Sequence, residues 1–244
     1  MQTAISTSDL HVQYDETIAL ANVSFELPVG SSLAVIGPNG SGKSTLLGVL
    51  AGTVDIGSGS AVVSGGSPAL VLQSTEVDKS LPISVDDPVS LARYPSLGLF
   101  GRFRPEDRAA VHAAMERLDI TDLAKRQFHE LSGGQRQRAL VAQGLAQESA
   151  TLLLDEPVTG LDITSREIIL DLIDDEVANG RTVVVTTHSL EEAQRCTYVL
   201  LLDTEVIAFG TPEEVLTEAH LRQAFGGGFM AIGDDFILED PHHH

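Results

Sequence analysis

The sequence holds a single cysteine, Cys196, no tryptophan, aromatic side chains at only 5% of positions, and 15 lysines and arginines against 35 aspartates and glutamates. Each shortage removes a class of protein. One thiol can build neither an intrachain disulfide framework nor a CxxC zinc site, which fits a reducing compartment. A formal charge of −20 and a pI near 4.5 work against partners held by counterion release, so free nucleic acid and anionic lipid surfaces are poor candidates. The longest apolar runs, such as residues 199–202, fall far short of the ~20 residues that span a bilayer. The opening MQTAISTSDL lacks the charged and apolar regions of a signal peptide. If the protein works at a membrane, something else must carry it there.

What remains is an acidic, globular composition, 43% hydrophobic over 244 residues, enough for one or two domains with a sizeable core. Short apolar runs at 32–36, 152–154, 182–187 and 198–202 end in Gly, Asp or His and read as buried strands. Between them, residues 44–50 before Gly52 and 165–177 before Gly180 carry helical spacing, giving the βα alternation of a mostly parallel sheet. The middle third differs. From about residue 80 to 147 the β-rich runs disappear, and 105–118 and 135–147 read as helices joined by Pro/Gly-rich loops around 95–101. The expected fold is an α/β core formed by residues 1–75 and 151–225, a helical subdomain inserted at 76–150, and a tail at 226–244. Within the tail, the stretch after Ala224 suggests two short strands around a Gly-Asp turn.

Gly37-Pro38-Asn39-Gly40-Ser41-Gly42-Lys43-Ser44-Thr45 matches G-x-x-x-x-G-K-[ST], follows an apolar run and opens a helical one, which is the context this motif requires. Glycines let the backbone wrap an anion closely, and consecutive N–H groups at the helix N-terminus then converge on a β-phosphate. Lys43 is suited to bridging β- and γ-phosphate oxygens, and the Ser44 hydroxyl to ligating Mg²⁺. Downstream, the run 152–154 ends in Asp155 and Glu156. Adjacent acids at a strand end are, in isolation, most often a solvated turn. With the phosphate loop upstream, Asp155 is expected to face Mg²⁺ and Glu156 to polarise a water in line with the γ-phosphate as general base.

Leu131-Ser132-Gly133-Gly134-Gln135 lies upstream of that acidic strand end. Read physically, Ser132, Gly133 and Gly134 open a helix whose N–H groups form a second anion site. With this motif the chain resembles the ATP-binding cassette (ABC) ATPase family over almost its whole length. The resemblance implies an antiparallel β subdomain beside a RecA-like P-loop core, ATP and Mg²⁺ as ligands, and a head-to-tail homodimer. In that dimer Ser132, Gly133, Gly134 and Gln135 cap the γ-phosphate held by the other subunit's phosphate loop. It further makes Tyr14 the aromatic that stacks on adenine and Gln73 the glutamine that reaches Mg²⁺ and the attacking water at the hinge of the helical subdomain. His188 becomes the switch histidine that hydrogen-bonds the γ-phosphate, and Asp162 the loop acid that crosses the dimer interface, next to a Gly160 where many members have Ser or Ala.

The segment after Gln73 narrows the resemblance. Glu76-Val77-Asp78, Pro82-Ile83-Ser84-Val85, Arg93-Tyr94, Gly98-Leu99-Phe100 and the later Ala224-Phe225-Gly226-Gly227 are similar to the ATPases of zinc/manganese/iron importers. Leu91-Ala92-Arg93 stands where Met-Gly-Arg is usual, and Pro88 interrupts a run that the family often keeps helical. The resemblance implies transmembrane permease subunits as partners, an extracytoplasmic solute-binding protein in the same system, and a position on the inner face of the cell membrane. Iron-siderophore or another small solute is the alternative cargo, and a non-transport ABC ATPase the alternative class. His11, His112, His129 and His220 lack ligand spacing, Met115 reads as core, and the terminal Pro241-His242-His243-His244 reads as a tail or tag remnant that chooses no cargo.

Overall fold

A computed structural model of the chain describes residues 2–73, 83–97, 102–226, 229–232 and 235–238. The long strands β1 (Thr3–Tyr14) and β2 (Thr17–Pro28) pair antiparallel through a two-residue turn, in which Asp15 takes a left-handed φ of 50°. The chain then enters β3 (Ser32–Ile36), passes the phosphate loop into α1 (Lys43–Ala51), and returns through β4 (Ser58–Val63) and β5 (Ala69–Val71). Strand β4 joins the other edge of β1, completing a three-stranded antiparallel sheet in the order β2-β1-β4.

After β5 the chain leaves the sheets. It forms α2 (Asp86–Leu91), α3 (Tyr94–Leu97), α4 (Pro105–Arg117) and α5 (Gly133–Ala146) before re-entering at β6 (Thr151–Asp155). The remainder alternates α6 (Ile163–Ala178), β7 (Thr182–Thr187), α7 (Leu190–Gln194), β8 (Tyr198–Asp203) and β9 (Glu205–Gly210). Two short helices, α8 (Pro212–Val215) and α9 (Glu218–Phe225), and the hairpin β10 (Phe229–Ile232) and β11 (Asp235–Leu238) close it. The expected pair of tail strands is present, with residues 233–234 between them outside the described residues. The expected segments 76–78, 82, 98–100, 227 and 241–244 also lie outside them.

The principal sheet has the order β5-β6-β7-β3-β8-β9, parallel throughout except for β9, which pairs antiparallel with β8. Its strands are continuous apolar runs because both faces are covered. Along β3, Ala34 and Ile36 face an apolar cluster shared with α2, α4, α5 and α6, while Leu33 and Val35 face a second cluster shared with α1 and the three-stranded sheet. This is the P-loop ABC ATPase fold with an antiparallel β sheet and inserted helices.

The Pro88 expectation is corrected. Pro88 sits at the third position of α2, where the backbone nitrogen has no intrahelical acceptor, so the missing N–H costs nothing and Asp86 and Asp87 add favourable charge to the helix start. Two helices also extend further back than the runs 135–147 and 165–177: α5 begins at Gly133, in keeping with the helix opened by Ser132 to Gly134, and α6 at Ile163, because Ser132 and Asp162 cap them. Arg93 staples the insert together, donating from Nε to Asp107 at 3.1 Å and from Nη1 to the Ala146 carbonyl at 2.8 Å and Glu148 at 2.6 Å. Arg117 of α4 pairs with the buried Glu176 of α6, which also accepts from Arg181 at 2.7 Å, so the insert is tied to the core by charge as well as by apolar packing.

Candidate nucleotide site

Parallel strands present their C-terminal ends at one edge, and this sheet uses four neighbours in a row. Across β5-β6-β7-β3 those ends deliver Gln73, then Asp155 and Glu156, then His188, then the phosphate loop. Residues more than a hundred positions apart in sequence are therefore set side by side by the sheet order alone.

The loop between β3 and α1 leaves no room for side chains at two of its glycines. A Cβ on Gly37 would lie 1.9 Å from the Leu202 carbonyl oxygen, and one on Gly42, whose φ is 96°, would lie 2.4 Å from that of Ala19. Lys43 is buried, and its Nζ donates to the carbonyls of Gly37 at 2.8 Å and Pro38 at 2.9 Å, so the loop folds around its own ammonium group. Helix α1 carries no side-chain cap and no acid in its first turn, the arrangement that leaves a helix N-terminus receptive to an anion. Ser41 Oγ is buried with no hydrogen-bond partner among the described residues, while Ser44 is exposed at the helix start. Tight glycines, a buried lysine and an orphan hydroxyl fit a polyphosphate. Ser44, Gln73 and Asp155 supply the oxygen donors that Mg²⁺ favours.

At the neighbouring strand end the Thr186 hydroxyl donates to Asp155 Oδ1 at 2.6 Å and accepts from the Glu156 N–H at 2.8 Å. Glu156 has a left-handed φ of 44°, which turns its side chain away from that of Asp155. Its carboxylate accepts from Gln73 Nε2 at 3.3 Å through Oε2, and His188 Nδ1 lies 4.0 Å from Oε1. Gln73, Glu156 and His188 therefore converge. His188 is itself exposed, with its ring open to incoming groups.

Tyr14 stands at the end of β1, 49% exposed, its ring available as a stacking face. The other expected residues gather around two helix starts. Ser132 and Gln135 form a reciprocal capping box, the Gln135 N–H donating to Ser132 Oγ at 3.2 Å and the Ser132 N–H to Gln135 Oε1 at 3.1 Å. Asp162 Oδ1 accepts from the Ser165 N–H at 2.9 Å, and hydrogen bonds from the Ser165 backbone and side chain hold its carboxyl below the usual carboxylate range. A Cβ on Gly134 would meet Ser165 Oγ at 2.3 Å and Asp162 Oδ2 at 2.5 Å, so the starts of α5 and α6 abut within one chain. The hydrogen bonds of Ser132, Gln135 and Asp162 named here stay within their own helix ends.

Sequence reasoning passed over Thr186, Thr187 and Glu192. The signal was present for the first two: a strand of valines that ends in two fully buried hydroxyl side chains, Thr186 and Thr187, must give those hydroxyls partners. Cys196, by contrast, is inert. Burial pushes its thiol up to about 12, far from thiolate chemistry. Among the described residues no group of three or more His, Cys, Asp or Glu side chains could hold a metal by itself, and no helix is long and apolar enough to cross a membrane.

Sheet order, phosphate loop and strand-end acids define a P-loop nucleotide-binding cassette. Residues 20–159 match the ABC transporter family model, and the chain belongs to that family. It is 36% identical over 232 residues to the manganese transport system ATP-binding protein MntB of Listeria monocytogenes, covering 91% of this chain and 96% of the relative. It is also 36% identical over 219 residues to the chelated iron transport system membrane protein YfeB of Yersinia pestis, covering 86% and 74% respectively. Among solved structures it is similar to a metal-chelate-type ABC transporter in an inward-facing conformation, with TM-score 0.83, 33% identity, and 97% and 96% of the two chains covered. A dimeric bacterial ABC transporter cassette is matched with TM-score 0.75 and 25% identity over 85% of this chain and 98% of the other.

Proposed function

We propose that this protein is the ATP-hydrolysing subunit of a membrane importer for a divalent metal cation such as manganese or zinc. The observation that carries the hydrolytic reading is the convergence of Gln73 and His188 on the Glu156 carboxylate beside the phosphate loop. Lys43 and the start of α1 hold the polyphosphate, Tyr14 takes the base, and Ser44, Gln73 and Asp155 would hold Mg²⁺, which supplies charge neutralisation between phosphate oxygens. Glu156 accepts a proton from a water held between it, Gln73 and His188. That water then attacks the γ-phosphorus in line, and the phosphate leaves ADP with the bond electrons on the β-phosphate oxygen.

Two copies associate head to tail, so that Ser132, Gly133, Gly134 and Gln135 of each close on the γ-phosphate held by the other, with Asp162 at the seam. The dimeric cassette among the structural relatives supports the pairing of two copies. Residues 1–75 and 151–225 act as the nucleotide-binding part and 76–150 as the part that moves against permease subunits. On this reading the protein sits peripherally on the inner face of the membrane, in a system that also uses an extracytoplasmic solute-binding protein.

The names of the Listeria and Yersinia relatives support a metal cargo, and that of the Yersinia protein favours chelated iron as the second reading. The catalytic test is Glu156→Gln, which retains ATP binding, loses phosphate release and accumulates an ATP-dependent dimer; undiminished phosphate release overturns the assignment. For the cargo, the subunit reconstituted with a membrane permease that copurifies with it is expected to hydrolyse ATP faster with Mn²⁺ or Zn²⁺ on the solute-binding protein. Stimulation by a ferric chelate alone decides for the second reading.

A further inference from the structure

His188 has an exposed ring and one nearby carboxylate at 4.0 Å, so its position is set by the backbone on either side of it. Ser189 is fixed on its far side as the N-cap of α7, its Oγ accepting from the Glu192 N–H at 3.4 Å, and on its near side through the Thr187 hydroxyl. Thr187 Oγ1 accepts from the Ser189 N–H at 2.9 Å, closing the turn over His188, and donates its only proton to Glu192 Oε2 at 2.5 Å. A hydroxyl has one proton to give, so the acceptor at Glu192 decides which way the lone pairs of Thr187 point. Thr187 is fully buried and the Glu192 side chain only 13% exposed, so water is a poor substitute for either partner.

Glu192 has a second connection. Its other oxygen, Oε1, accepts from Arg166 Nε at 3.5 Å, and Arg166 lies in the first turn of α6, with its backbone N–H bonded to the Asp162 carbonyl at 3.0 Å. Arg166 is anchored separately by Glu191 at 2.9 Å, so it does not depend on Glu192 alone. The path from the capping acid of α6 to the turn over His188 runs through one carboxylate, which meets Arg166 on one side and Thr187 on the other.

We propose that Glu192 is a positioning residue for His188. It fixes the Thr187 hydroxyl that shapes the turn, and through Arg166 it makes that turn sensitive to movement at the start of α6. This rests on the reading of His188 as the γ-phosphate ligand. Because Glu192 acts through His188, its removal slows turnover without weakening ATP binding, and it has nothing further to remove once His188 is gone.

The test is steady-state hydrolysis by the full chain carrying Glu192→Ala, Glu192→Gln, His188→Ala and the double variant Glu192→Ala/His188→Ala. Glu192→Ala is expected to lower kcat about tenfold with KM for ATP within about twofold, and the double variant to be no slower than His188→Ala. Glu192→Gln keeps an acceptor for Thr187 but loses the ion pair with Arg166, so it regains most of the rate while its melting temperature stays below that of the parent. A merely structural role predicts that rate follows stability in both variants, and that result overturns the proposal, as does a multiplicative loss in the double variant. If His188→Ala hydrolyses at the parent rate, the reading of His188 fails and the proposal with it. If His188→Ala is inactive and Glu192→Ala keeps the parent kcat, the proposal alone fails.

Discussion

Gln73 and Glu156 lie 83 residues apart in sequence, yet Gln73 Nε2 donates to Glu156 Oε2 at 3.3 Å. The bond spans the ends of β5 and β6, neighbours in the sheet, and the chain between them contains every inserted helix. Gln73 is thus both the last described residue before the insert and a direct partner of the carboxylate proposed to activate water. A rotation of the insert that displaced Gln73 would break that bond.

Gln73→Ala is therefore expected to separate binding from turnover. ATP affinity, carried by the phosphate loop and Tyr14, stays within about twofold, while kcat falls about tenfold or more because Glu156 loses its orienting donor. Fluorescent-nucleotide titration beside a phosphate-release assay checks both halves. A fall in affinity equal to the fall in rate would place Gln73 in ground-state binding instead.

Gly42→Ala tests the cradle. The residue combines a φ of 96° with a Cβ position 2.4 Å from the Ala19 carbonyl oxygen, so the substitution forces strain of about 1–3 kcal/mol and displaces the start of α1. Nucleotide binding is expected to be lost and thermal stability reduced. Gly40→Ala is the contrast: its φ of 80° also disfavours a side chain, but nothing lies within 4 Å of the added methyl, so the fold is less disturbed. Calorimetry of ATP binding by both variants checks the difference.

Ser132→Arg probes the proposed seam between copies. Losing the cap on α5 costs about 1 kcal/mol, which a core of this size tolerates. The monomer is expected to bind nucleotide as the parent does, because the Ser132 bonds seen here serve its own helix. ATP-dependent dimerisation is expected to disappear, measured by light scattering with the Glu156→Gln substitution in the background. Unchanged dimerisation counts against a shared γ-phosphate site.

What the sequence disclosed follows from how local each signal is. The phosphate loop, the strand ending at Asp155 and the helix opened by Ser132, Gly133 and Gly134 are written in consecutive residues, and the structure has each at that place in the chain. The strand at residues 182–187 was visible from its valines, but the partners of Thr186 and Thr187 were not, because β6 and α7 supply them from elsewhere in the chain. Glu192 is one of two acids in the first turn of α7, a place that by itself marks no site. Only the packing of α7 against β7 turns its carboxylate onto a strand-end hydroxyl. Pro88 misled for the opposite reason: its effect depends on its position within the turn, and the boundary of α2 was not legible.

The joint between Arg117, Glu176 and Arg181 was invisible in sequence, and it gives the last prediction. Burial acts to raise the Glu176 pKa, but hydrogen bonds from Arg181 and Arg117 outweigh it and hold the carboxyl below its ordinary value. The folded state therefore binds fewer protons at this group than the unfolded chain does in mildly acidic solution. The stabilisation is complete above the ordinary Glu pKa of about 4.3, declines as pH falls beneath it, and is gone below the depressed folded value. Glu176→Gln removes that acid-dependent component and leaves Arg181 buried without its counter-charge, at a cost of about 3 kcal/mol near neutral pH. Urea unfolding from pH 7 to pH 3 is expected to show the gap between parent and variant closing only at the acid end. A gap that stays constant across the range would mean that Glu176 contributes packing rather than charge.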